Sequence, residues 1–256
     1  MNVRRLRELR RVVQMLLVLG LGTFGVGVKA AEVKPEEATK DAPYVNSLGM
    51  RFVPVPGTRL LVSVWETRVE DYQAFIAVKP RVWPKPEFEQ GANHPAVMVN
   101  LQDGEAFCGW LSAQEKRQYR LPTDEEWSMA VGLGKERGVT PEERNFKASG
   151  YPWGKVWPPV KGAGNYGPKL AVDEFPKTSP VGSFGANVLG IFDLGGNVWE
   201  WCATKFTEKG EERVMRGGAW NVESESGLRS SSRSGELSHA RFSSLGFRCI
   251  LVLPGK

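Results

Sequence analysis

The sequence predicts a domain of short helices and strands joined by long loops, and three observations lead there. Met50 to Val55 alternates in the manner of a strand and enters a turn at Pro56-Gly57. Two segments, Glu70 to Ile76 and Gln102 to Gln114, carry their apolar residues on one side, which suits amphipathic helices. From about residue 135 the texture changes. Gly, Pro, Asn and Ser recur through Gly190, punctuated by Trp153, Trp157, Tyr166 and Phe175. Loops of that length inside a compact domain are uncommon and call for something that holds them, such as a metal.

Each element has a local cause. Tyr72, Phe75 and Ile76 supply the apolar face of the first helix; Ala106, Phe107, Trp110 and Leu111 supply that of the second. A third helix starts at Thr123, whose hydroxyl is placed to cap it. Glu126 stands three residues on and completes a capping box. The acids of that turn also suit the positive end of the helix dipole, so capping rather than acid/base chemistry is their expected role. Residues 31–43 mix Lys, Glu, Pro and Ala without an apolar period and are expected to form a flexible linker. The folded domain is expected over 44–256.

The first thirty residues differ from the rest. Five arginines precede an apolar run from Val12 to Val28, and Val28-Lys29-Ala30 follows it. That order is the signal-peptide pattern, with cleavage near Ala30 and a periplasmic or extracellular destination. The alternative is an uncleaved membrane anchor, although a span wants about 20 apolar residues. Residues 1–30 hold six basic and one acidic side chain, a net of +5, and the whole chain is also +5. The remainder is therefore formally neutral, which argues against a nucleic-acid partner; a membrane partner is expected only if the leader is retained.

Motifs for known chemistries are few. His94 and His239 are the only histidines and have no metal-ligand spacing, which disfavours a zinc or non-haem iron site. Asn165, Asp173, Asp193 and Glu200 lie in glycine-rich surroundings, where calcium finds carboxylate, amide and carbonyl oxygens. Turn formation is the commoner use of such residues. Ser230, Ser231, Ser232 and Ser234, between Arg229 and Arg233, read as an ordinary polar loop.

Seven ordered motifs then carry a resemblance. They are His94-Pro95-Ala96-Val97-Met98-Val99, Ala106-Phe107-Cys108-Gly109-Trp110, Arg120 to Trp127, Tyr151-Pro152-Trp153-Gly154, Gly196 to Trp201, Arg216-Gly217-Gly218-Ala219-Trp220 and Gly246-Phe247-Arg248-Cys249. In order and spacing they resemble the sulfatase-modifying factor family, the formylglycine-generating enzymes, from about Asn46 to Val252. The resemblance implies an α+β, C-type-lectin-like fold low in regular secondary structure and stabilised by calcium. One calcium site would map onto Asn165 and Asp173, with the carbonyls of Tyr166 and Phe175. A second would map onto Asp193 and Glu200, with those of Gly196 and Val198. It also implies a disulfide between Cys108 and Cys249, which leaves Cys202 as a small buried thiol.

The chain departs from the family at the copper site. The enzymes hold copper with two cysteines just after the Gly-Gly motif. Here Val222 occupies the first position, the second falls between Glu225 and Gly227, and no cysteine lies between Cys202 and Cys249. Copper(I) requires soft thiolate ligands, so copper and formylglycine generation are not expected. The resemblance leaves two functions. One is a calcium-stabilised module that binds a peptide, a glycan or an envelope protein through a groove lined by Trp199, Trp220, Asn221, Arg229 and Arg233. The other is an oxidoreductase that modifies a protein or peptide side chain with a different redox centre. Relatives of the domain act in pyoverdine maturation and, with an added iron-binding domain, in sulfoxide synthesis.

Overall fold

The structure, a computed structural model, describes residues 33–255. The expected leader, residues 1–30, lies outside them. Two sheets organise the domain. The first contains β1 (Tyr44–Val45), β2 (Arg51–Pro54), β3 (Leu60–Ser63), β4 (Gln118–Arg120) and β9 (Ile250–Val252), in the order β1-β2-β3-β9-β4. All its pairings are antiparallel. The second contains β5 (Trp199–Lys205), β6 (Glu212–Arg216), β7 (Arg233–Leu237) and β8 (Leu245–Gly246), in the order β7-β6-β5-β8. Its one parallel pairing joins β5 to β8.

Strand alternation sends successive side chains to opposite faces, and here both faces are buried. Phe52, Leu61 and Leu251 enter one apolar cluster, with Tyr72, Phe107, Trp201 and Phe247. Their neighbours Val53, Val62 and Ile250 enter the other, with Trp127, Cys202 and Val214. Trp201 and Cys202, adjacent on β5, divide in the same way, so the two clusters hold both sheets between them.

The helices match the sequence expectations closely. α1 (Val69–Val78) and α2 (Leu101–Glu115) pack Tyr72, Phe75, Phe107 and Leu111 into the first cluster. α3 (Asp124–Val131) begins at the expected box. Glu126 N–H donates to Thr123 Oγ1 at 3.2 Å, and Thr123 N–H donates to Glu126 Oε2 at 2.8 Å. The helix ends at Gly132, whose φ of 94° suits a residue without Cβ. Between Val131 and Trp199 the described regular structure is only the short helix α4 (Pro141–Arg144) and a turn at Pro168–Leu170.

One expectation differs from what is found. The segment 33–43 lies on the domain rather than free of it. Pro35 is buried at the start of a 3-10 turn, and Ala38 packs against the first cluster. A local hydrogen bond from Ala42 N–H to Thr39 Oγ1, 3.0 Å, closes the turn that follows. Two small apolar residues without periodicity suffice for this, which composition alone does not reveal.

Candidate functional site

The loop from Asp193 to Asn197 turns sharply before β5, with positive φ at Asp193, Gly196 and Asn197. At Gly196 a Cβ would sit 2.3 Å from the carbonyl oxygen of Asn165, so only glycine lets the two loops meet. Asn197 N–H donates to that same carbonyl at 2.8 Å. The two sets of expected calcium ligands are thereby brought side by side.

Below this turn lies a buried charge cluster. Arg248 grips Glu200 with two parallel bonds, Nη2 to Oε1 at 2.6 Å and Nε to Oε2 at 2.7 Å. Trp127 Nε1 donates to Glu200 Oε2 at 2.8 Å. Asp193 Oδ2 accepts Gly182 N–H at 2.6 Å. Glu66, which the sequence reading passed over, is 0% exposed, and neither carboxylate oxygen has a partner. Three buried carboxylates thus face one guanidinium. Burial, with Asp193 beside it, raises the Glu66 carboxyl well above its ordinary range. Burial also pushes Asp193 up to about 6, against the opposing pull of Gly182 N–H and Arg248. The only available sign of Glu66 was an acid directly after the apolar run Leu60 to Trp65.

The neighbouring set is better satisfied. Asp173 accepts the N–H groups of Tyr166 at 3.0 Å and Phe175 at 2.9 Å. Asn165 Nδ2 donates to the Lys177 carbonyl at 2.8 Å, while its Oδ1 is buried without a partner. An orphaned amide oxygen beside one carboxylate, and two orphaned carboxylate oxygens beside another, form a hard oxygen donor set of the kind calcium takes. Among the described residues no three acidic, histidine or cysteine side chains form a metal cage. Amide and carbonyl oxygens would have to complete either shell, and Glu200 is already committed to Arg248.

The expected groove does not assemble. Arg233 is 2% exposed and belongs to a buried network: its Nε contacts Asp124 at 2.9 Å, and its Nη2 pairs with Glu136. Arg216 and Arg144 converge on the same Asp124. The polar loop is likewise interior: Ser230, Ser231 and Ser232 are buried, and Ser231 Oγ donates to the Ala148 carbonyl at 2.8 Å. Trp220 is covered by Lys177, whose Nζ stands 4.2 Å from the ring centre, while Phe88 meets it edge-on. Trp199 is half-buried against the first cluster. Asn221 is exposed, and Arg229 pairs with Glu225 at 2.9 Å. Val222 packs with Tyr166, Leu228, Trp153 and Trp157.

A cleft of about 820 Å³ opens instead on the other side of those aromatics. Tyr151 and Trp153, stacked 4.7 Å apart, line it together with Phe184 and Val188. Asp193, Gly195 and Ser230 also line it. Cys108 and Cys249, expected as a disulfide, are brought together as unbonded thiols with their sulfurs 3.5 Å apart. Cys202 is a buried thiol in the second cluster, as expected.

Comparison with known proteins follows the same line. Residues 5–253 match the model of the sulfatase-modifying factor enzyme 1-like domain. The inactive C-alpha-formylglycine-generating enzyme 2 of Bos taurus is 31% identical over 199 residues, covering 71% of this chain and 60% of that protein. Its Mus musculus counterpart is 35% identical over 167 residues, covering 60% and 48%. The formylglycine-generating enzyme of Thermomonospora curvata is 31% identical over 156 residues, covering 58% and 46%. The chain therefore spans about half the length of these relatives. Among solved structures, PvdO from Pseudomonas aeruginosa superposes with a TM-score of 0.62 at 24% identity, covering 81% of this chain and 83% of that one. CarF gives 0.55 at 20% identity, covering 80% and 88%. The fold is α+β, and these structures share it.

Proposed function

Since the chain belongs to the sulfatase-modifying factor enzyme 1-like family yet holds no cysteine between Cys202 and Cys249, we propose that it is a non-catalytic binding module. The absent thiol pair carries this reading. Copper does not fit the residues present: Val222 is packed among aromatics, and the three thiols are buried elsewhere at 0–1% exposure. The likeness to two proteins named as inactive supports the same conclusion. Incubated with copper(I), oxygen and a Cys-x-Pro-x-Arg peptide, the protein is expected to form no aldehyde that an aminooxy probe captures. Stoichiometric aldehyde would overturn the proposal.

Calcium fits where copper does not. Asn165 and Asp173 would hold one ion; Asp193 with Glu66 would hold the other, with Glu200 anchoring the turn through Arg248. Bound calcium would supply only fixed positive charge. The chain's own residues do the rest: Gly196 permits the close approach, and the loops it joins carry the cleft. That cleft, rather than the groove of Trp199, Trp220, Asn221, Arg229 and Arg233, is the face on which a peptide, glycan or envelope protein would be held. Its paired aromatic wall offers a large apolar contact at low entropic cost.

Export would place Cys108 and Cys249 where a disulfide persists. Burial holds the Cys108 thiol well above its ordinary range, so the bond would form before the core closes. Protein recovered from an oxidising compartment is expected to weigh two hydrogens less than reduced protein and to melt higher. The chain-entropy model allows about 5 kcal/mol for so long a loop. An intact mass equal to that of the reduced chain would rule the bond out.

A further inference from the structure

The loop between Trp153 and Lys161 presents a surface that nothing in the domain covers. Val156 is 69% exposed and Val160 66%, with Pro158 exposed between them. Lys155 and Lys161 flank them, both exposed. The loop stands on a firm base. Trp153 Nε1 donates to the Val156 carbonyl at 3.0 Å, and Ala163 N–H donates to that of Val160 at 3.0 Å. Trp153 and Trp157 pack below into a cluster with Tyr166, Val172 and Leu228. Trp153, Gly154 and Lys155 at the base of the loop line the neighbouring cleft, whereas Val156, Pro158, Val160 and Lys161 do not.

Charge selects the occupant. From Arg144 to Val172 the chain has no acidic residue. Lys169 is taken up by Glu223 at 2.8 Å, whereas Lys155 and Lys161 make no ion pair among the described residues. A projecting apolar tip between free lysines has no walls to hold a peptide, but it matches a flat boundary that is apolar beneath and anionic above. We propose that this loop docks the domain on an anionic lipid surface. Val156 and Val160 enter the boundary between headgroup and acyl chain, and Lys155 and Lys161 meet the lipid phosphates. Trp157, half-buried behind them, sits at the depth that tryptophans favour.

The test must separate this contact from any made by the N-terminal segment, so it reads the loop itself. Val160→Cys in the full chain is labelled with an environment-sensitive dye; the native cysteines are at most 1% exposed and do not react. Vesicles of phosphatidylglycerol and phosphatidylcholine should shift its emission to the blue, and pure phosphatidylcholine should not. The same dye at Val82→Cys, 80% exposed, should stay unchanged. Lys155→Ala with Lys161→Ala should raise the lipid concentration needed about 25-fold, at about fivefold per lysine. Three results would each overturn the proposal: no shift at residue 160, an equal shift at residue 82, or a shift given by soluble polyglutamate and not by vesicles. The last would assign the loop to an acidic protein partner.

Discussion

Asp124→Ala should remove about 3–5 kcal/mol of the protein's folding stability. Asp124 is fully buried at the first position of α3, and Arg216, Arg233 and Arg144 converge on it from separate parts of the chain. Burial alone would raise its carboxyl; the three guanidiniums outweigh burial and hold it below the ordinary range. Removing one partner of a buried ion pair costs about 3–5 kcal/mol, because charge is left without a counterion. A domain is typically stable by about 5–15 kcal/mol, so the loss takes a large share. Urea titration of the variant measures it, and an unfolding free energy within about 1 kcal/mol of the parent's would refute the account. Adding Arg216→Met should recover part of the loss, since one uncompensated charge leaves with it. The sign with pH follows. A carboxyl lowered in the folded state stabilises above its unfolded value of about 3.9 and loses that contribution as pH falls through the folded value.

Calcium should stabilise the protein strongly at pH 7.5 and weakly at pH 5. Burial pushes the Asp193 carboxyl up to about 6 in the folded state and holds that of Glu66 well above its ordinary range. Both values lie above those of an unfolded chain, so without calcium the folded state binds the extra protons. The Asp193 contribution is then fully present below about pH 4 and is lost as pH rises through about 6, and that of Glu66 is lost as pH rises through its own raised value. Calcium competes with those protons and reverses the loss. At a hundred times its dissociation constant each ion adds about 2.7 kcal/mol. Thermal melts with calcium and with chelator, at both pH values, give the comparison. Glu66→Gln should melt higher than the parent in chelator at pH 7.5, because like charge is relieved, and should respond less to calcium. A chelator that left the pH 7.5 melt unchanged would remove Asn165, Asp173, Asp193 and Glu66 from any calcium site.

What was legible in the sequence was local or carried by motif. The Thr123 box and the apolar faces of α1 and α2 each depend on residues a few positions apart. The charged interior depends on partners far along the chain: Asp124 lies 109 positions from Arg233, and Glu200 lies 48 from Arg248. No pattern in the sequence distinguishes a surface arginine from one that meets a buried carboxylate. Arg233 was therefore expected in a groove, and Glu66 was not singled out at all. Trp220 shows the same limit, because its ring is covered by Lys177, which comes from another loop.

The place of β9 has a consequence for timing. It comes last in chain order among the described strands, yet it lies between β3 and β4 and pairs with both. Until residue 252 has left the ribosome, the middle of the first sheet is an open slot with two unpaired edges. Cys249, Arg248 and Phe247 arrive with it, so the core contacts they make are also deferred. The first sheet therefore closes only once Ile250–Val252 pairs with both of its neighbours. Contacts that distant in sequence form slowly.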